Sequence, residues 1–294
     1  MKYGQVDSAQ AATIVEEISA REFTQDLEAK RFIIGGAPEI LLSGVIATPR
    51  ATWPFGISGI ALIIGLIFII TVGLLTQSIH VFGGLIVTEL SMLVAALLPV
   101  IWWMSRKETD VEPVLHSQRS ARWVTRIVEE LGLRPERGLE NIVTDLLIGV
   151  AVGLFTLFAT IPITILWRWL LPPPQIYLDI MSQSLTPVSL TDLIFWILLM
   201  IFVVGFCEEV FARGVIQQGA ENHYSRWGGL VLGAFLFAFI HIDPFRFAPL
   251  FFMSLIWGYM FQVRGWSLYV PWAAHATNNI IALVLLYFAP FFGV

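Results

Sequence analysis

The sequence predicts an all-α fold: a polytopic transmembrane helical bundle of about seven spans, within limits of six and eight, with a polar cavity between the last four. Three observations carry this. Of 294 residues, 57% are hydrophobic and only 13% charged, where an average soluble domain has about 25% charged residues. The apolar residues fall into runs near the roughly 20 residues that a helix needs to cross about 30 Å of hydrocarbon. The runs are joined mostly by short polar returns.

Taken in order, residues 1–50 are mixed in character and include Lys2, Arg21, Lys30, Arg31 and Arg50. They read as a cytoplasmic tail, either lying on the membrane surface or free. Its polar opening and early acids lack the short apolar core of a cleaved signal peptide. Spans follow near 53–76, 80–103, 143–168, 193–216, 228–242, 247–263 and 268–291. The fifth and sixth are short. Two connections are longer. Residues 104–141 form a charged, helix-prone loop. Residues 169–192 contain "LPPPQ", which breaks a helix, and end in "SLTD", a helix-start signal. The organisation expected is a tail over 1–50, two helices plus the charged loop over 51–139, and a core over 140–294.

Charge sets the expected orientation. Of 17 Lys and Arg, five lie in the tail and seven in the 104–141 loop. Arg226 and Arg264 fall in connections on the same side, and Arg246 is an exception on the other. The positive-inside bias places the N-terminus in the cytoplasm and, with seven spans, the C-terminus outside. No long basic run appears, so nucleic-acid binding has no support. The single cysteine, Cys207, rules out an internal disulfide framework.

Ionisable groups within apolar runs must pair, line a cavity or do chemistry. They are Glu89, Asp145, Glu208, Glu209, Arg213, His241 and His275, joined by Asn278 and Asn279. Glu209 precedes Arg213 by four residues, the favourable order for a helical ion pair. Glu208 points about 100° away from Glu209, so the two carboxylates can do different jobs. "FAFIH" puts Phe237 and His241 on one face, and "HATNN" puts His275 and Asn279 one turn apart. At about 1.5 Å per residue, Glu208 comes out about 10–12 Å, His275 about 10 Å and His241, less well matched, about 20 Å from the cytoplasmic side. Glu89 lies mid-span and reads as a cavity lining or a protonated acid. Asp145 reads as a carboxylate favouring a helix N-terminus, and Gly149 and Gly153 as a close helix contact.

A Glu and a His sharing a water can take its proton, and a second His with an Asn can stabilise an oxyanion. Spacing does not assign roles within each pair. Three other readings stay open. Glu208, His241 and His275 could ligate a catalytic zinc, although no HExxH pair is present. Cys207 could be a nucleophile with a His and Asn279, although it reads better as an apolar filler. A membrane scaffold, immunity protein or transporter could use the same charges for packing or a proton path.

"EEVFAR", "FAFIH" and "HATNN" fit E-E-x-x-x-R, F-x-x-x-H and H-x-x-x-N in order on successive apolar segments. In this the chain resembles the CPBP (abortive-infection) family, which groups CAAX prenyl endopeptidases with bacteriocin-processing and bacteriocin-immunity proteins. The resemblance covers about residues 140–290. It implies an intramembrane glutamate protease without a cofactor; the depths reckoned along the spans, rather than the resemblance, place the opening of the catalytic cavity at the cytoplasmic leaflet. The implied substrate is a membrane-anchored peptide or protein, lipidated or not. Glu208 would be the water-activating base and His241 its partner. His275 and Asn279 would form the oxyanion hole, with Glu209, Arg213 and Phe237 supporting.

Overall fold

The computed structural model describes residues 51–77, 81–107, 116–133 and 138–289; the tail expected over 1–50 lies outside them. Those residues form an all-α, membrane-embedded bundle. Its helices are α1 (Phe55–Gln77), α2 (Val81–Lys107), α3 (His116–Glu130), α4 (Leu139–Leu170), α5 (Gln175–Leu185), α6 (Leu190–His223), α7 (Arg226–Ile240), α8 (Phe247–Val263) and α9 (Tyr269–Phe288). Four of them, α1, α2, α4 and α6, are long and apolar enough to cross a membrane. The shorter α7 and α8 are also apolar.

The boundaries follow local chemistry. Pro172 to Pro174 end α4, and Pro174 sits at the cap of α5. Ser189 caps α6 by accepting from the Asp192 amide, and Ser225 caps α7 by accepting from that of Gly228. Pro249 and Pro271 lie in the first turns of α8 and α9, where a missing amide donor is tolerated.

Polarity is turned inside out relative to a soluble protein. Ile63, Ile67, Phe155, Phe158 and Phe202 are exposed, as lipid-facing side chains should be, while Glu209, Arg213, Gln217, Gln218 and Gln262 are buried. Gly149 and Gly153 let α4 approach α9. A Cβ on Gly153 would lie 2.7 Å from the Ala274 carbonyl oxygen, and one on Gly149 would lie 2.5 Å from that of Val270.

Two readings of the sequence need revision, and a third gains detail. The helix-prone 104–141 connection contains α3, and its C-terminal end is docked: Glu130 accepts from the Thr52 amide and hydroxyl, and the Leu268 amide donates to the Gly132 carbonyl. Asp145 lies beyond the first turn of α4 and is fully buried. It accepts from Arg264 Nε at 2.8 Å and from the Ser267 hydroxyl, so it pins the α8–α9 turn rather than serving a helix N-terminus. The fourth apolar run is longer than expected, and its winding widens to π-helical turns over Met200–Val204 and Val210–Gln217.

Candidate active site

The π turns leave one regular segment between them, Gly205–Glu209, and it carries both glutamates. Insertions of this kind are frequent at functional sites. Backbone groups beside the segment are used to hold it. The Ile201 carbonyl accepts from Trp272 Nε1 at 2.7 Å, and the Val215 carbonyl from the Ser58 hydroxyl at 2.8 Å. A Cβ at Gly205 would lie 2.9 Å from the Met200 carbonyl oxygen, so the narrow residue suits the close winding.

Glu209 is fully buried and has two partners. Arg213 Nε lies 3.0 Å from Oε2, and His275 Nδ1 lies 2.9 Å from Oε1. Arg213 also donates to the Ser254 hydroxyl at 2.9 Å, and its guanidinium lies over Phe237, 4.5 Å from the ring centroid. The cation therefore meets a carboxylate, a hydroxyl and an aromatic face at once, as a buried charge requires.

Glu208 faces a different environment. Its Oε2 lies 3.6 Å from His241 Nε2 and 3.8 Å from His275 Nε2, and it has no hydrogen-bond partner. These three groups come from α6, the C-terminal cap of α7, and α9. Each imidazole is oriented by its other nitrogen. His241 Nδ1 sits 2.7 Å from the Phe237 carbonyl, an acceptor, so Nδ1 carries the proton and a neutral ring offers a lone pair at Nε2. His275 Nδ1 faces the Glu209 carboxylate oxygen, an acceptor, and donates its proton there. Trp257 stacks on the His275 ring at 5.0 Å between centroids.

The chain turns sharply just after His241. Ile242 has φ of 50°, a left-handed conformation that a β-branched residue rarely adopts. Asp243 holds the turn, accepting from the Phe245 amide and from the Tyr177 hydroxyl at 2.6 Å. The α5 segment is thereby tied to the residue that follows the imidazole.

Glu208, His241, His275 and Asn279 all line a cavity of about 200 Å³, with Phe237 and Trp257 in its wall. Asn279 Nδ2 rests on Met200 Sδ at 3.6 Å, a weak acceptor. Asn278 also borders the cavity, but its amide serves as a structural link, donating to the Gly153 carbonyl at 2.8 Å and to Thr156 Oγ1 at 3.0 Å. Glu89 is buried on α2 with one oxygen unpartnered and does not line the cavity. Cys207 is buried in the apolar cluster with Val210 and Phe211. Among the described residues, no group of three His, Cys, Asp or Glu side chains is arranged to hold a metal ion.

A second polar cluster went unread in the sequence. Glu221 accepts from Gln217 at 2.7 Å, Gln262 at 2.6 Å and Trp266 Nε1 at 2.7 Å, closing the other end of the α6–α7–α8 packing. Its signal was polar residues near span ends, which read equally well as solvated.

A family model described as "Type II CAAX prenyl endopeptidase Rce1-like" matches residues 190–281, the stretch from α6 into α9. All of the site residues named from the three motifs fall inside it. No curated protein and no solved structure matches the chain.

Proposed function

We propose that this chain, which carries a CAAX-protease-family domain over residues 190–281, is an intramembrane endopeptidase that hydrolyses a peptide bond of a membrane-anchored substrate. One observation carries the reading. Glu208 Oε2, without a hydrogen-bond partner, faces two imidazole Nε2 atoms at 3.6 and 3.8 Å inside a cavity.

In this mechanism a water donates one hydrogen to Glu208 and the other to His241 Nε2, both acceptors. Glu208 takes a proton as the oxygen adds to the scissile carbonyl carbon, a general-base step that contributes typically about 10²–10⁴-fold. His275 acts as imidazolium: Glu209 receives its Nδ1–H, and its Nε2–H meets the oxyanion. Asn279 turns from the weak thioether of Met200 to donate to the same oxygen. The tetrahedral adduct collapses as the C–N bond breaks and the proton on Glu208 passes to the leaving nitrogen. The seven apolar helices α1, α2, α4, α6, α7, α8 and α9 serve as the spans, with the N-terminus in the cytoplasm and the C-terminus outside.

The test is a comparison of membrane fractions from cells expressing the wild type or Glu208→Gln at equal abundance. New peptide termini present with the first and lost with the second would support the reading and identify the substrate. Identical fragment sets, from a correctly folded variant and wild type, would leave a scaffold of the same fold as the better description.

A further inference from the structure

The cavity draws its lining from one end of the bundle alone. From α6 it takes residues up to Glu208, and from α7 only Phe237, before the capping His241. The lining from α8 stops at Trp257, and that from α9 starts at His275. Consecutive helices run in opposite directions, so these half-helices all lie at the end that carries α5, the 241–246 turn and the C-terminus of α9. Leu185 and the exposed Arg246 border the cavity there. The other end is filled by Phe211 and Ile216 and by the buried Gln217–Glu221–Gln262 cluster.

Charge divides the same two ends. Of 17 Lys and Arg, five precede α1, and seven lie in the segment joining α2 to α4. Both segments connect at the closed end, where Trp53 meets Val215 and Asp145 meets Arg264. Arg226 and Arg264 lie there too. Arg213 is interior, which leaves Arg168 and Arg246 at the cavity end, beside Asp179, Asp192 and Asp243. The positive-inside bias assigns the cation-rich end to the cytoplasm.

We infer that the cavity opens on the non-cytoplasmic face, so that the protease takes membrane-anchored polypeptides whose cleaved segment lies on that side. This replaces the expectation of a cytoplasmic opening, which came from measuring depth along spans without knowing which half-helices face the cavity. It rests on the proteolytic reading for its substrate class, but the access face can be measured apart from activity.

The experiment uses the full chain with Cys207→Ala as background, carrying either Val188→Cys, an exposed position at the cavity end, or Ser105→Cys, exposed at the closed end. A membrane-impermeant maleimide is applied to intact cells and to permeabilised ones, with detergent-solubilised labelling as the reference for accessibility. The expected result is labelling of Val188→Cys in intact cells, and of Ser105→Cys only after permeabilisation. The reverse pattern, or equal labelling of both in intact cells, would overturn the inference. A reversed pattern with Glu208-dependent cleavage intact would leave the protease standing and move its substrate to the cytoplasm. Correct labelling without any cleavage would remove the protease and keep the access face.

Discussion

Glu209 and Arg213 illustrate how a single buried charge commits its neighbours. Arg213 is 1% exposed and its carboxylate partner is fully buried. Removing Arg213 leaves the buried Glu209 carboxylate with His275 alone, and breaking a buried pair in this way typically costs about 3–5 kcal/mol. Arg213→Ala should therefore lower unfolding stability in detergent by about that amount, and the double variant Glu209→Gln/Arg213→Met should lose less. Equal losses in both would mean that the pair is not what holds this part of α6. Cys207, by contrast, only fills apolar space, and Cys207→Ala should retain full turnover. These residues stood out in the sequence because charge in an apolar run is expensive. Their partners were less legible. The four-residue spacing gave Glu209–Arg213, but His275 joins Glu209 from 66 positions away, and no local rule reports such a pairing.

At the scale of elements, the site depends on how closely α4 and α9 pack. Gly153→Ala would press a methyl against the Ala274 carbonyl and Thr277. Overpacking of this kind costs about 1–3 kcal/mol. It would also move α9 and with it His275, and a misplacement of about 1 Å can lower turnover about 100-fold. Gly59→Ala on α1 meets nothing within 4 Å and should leave turnover unchanged; a matched loss in both would detach the effect from the α4–α9 contact. A second link between elements is Tyr177 on α5. Burial, and then its hydrogen bond to Asp243, push its phenol up to about 12, against an ordinary value of about 10. A raised folded value means that the tether contributes fully below about pH 10 and is lost as pH climbs through about 12. A phenolate absorbance titration should show a step near 12 that is missing in Tyr177→Phe. Helix existence was plain from apolar run length, and the breaks at Pro172–Pro174 and Ser189 were readable. The π turns of α6 were not, because a 3.6-residue period is assumed in any reading of helical faces, and the turns are held by contacts from α1 and α9.

For the whole molecule, what matters is that three helices deliver one carboxylate and two imidazoles to a shared cavity, while Arg226 and Arg264 lie at the opposite end. The bundle and its lipid-facing exterior were legible from composition. Which end of the bundle holds the cavity was not, because depth along a span does not say which half of each helix faces inward. Because the proposed chemistry uses only side chains, treatment of the purified protein with a metal chelator should leave turnover unchanged; loss on chelation and recovery with zinc would favour ligation by Glu208, His241 and His275 instead. The most direct measurement is turnover of an identified substrate peptide by purified protein in lipid nanodiscs, wild type against Glu208→Gln, with thermal stability recorded for both. General-base action by Glu208 requires a fall of at least about 100-fold with stability preserved. Equal turnover by the two proteins would contradict it.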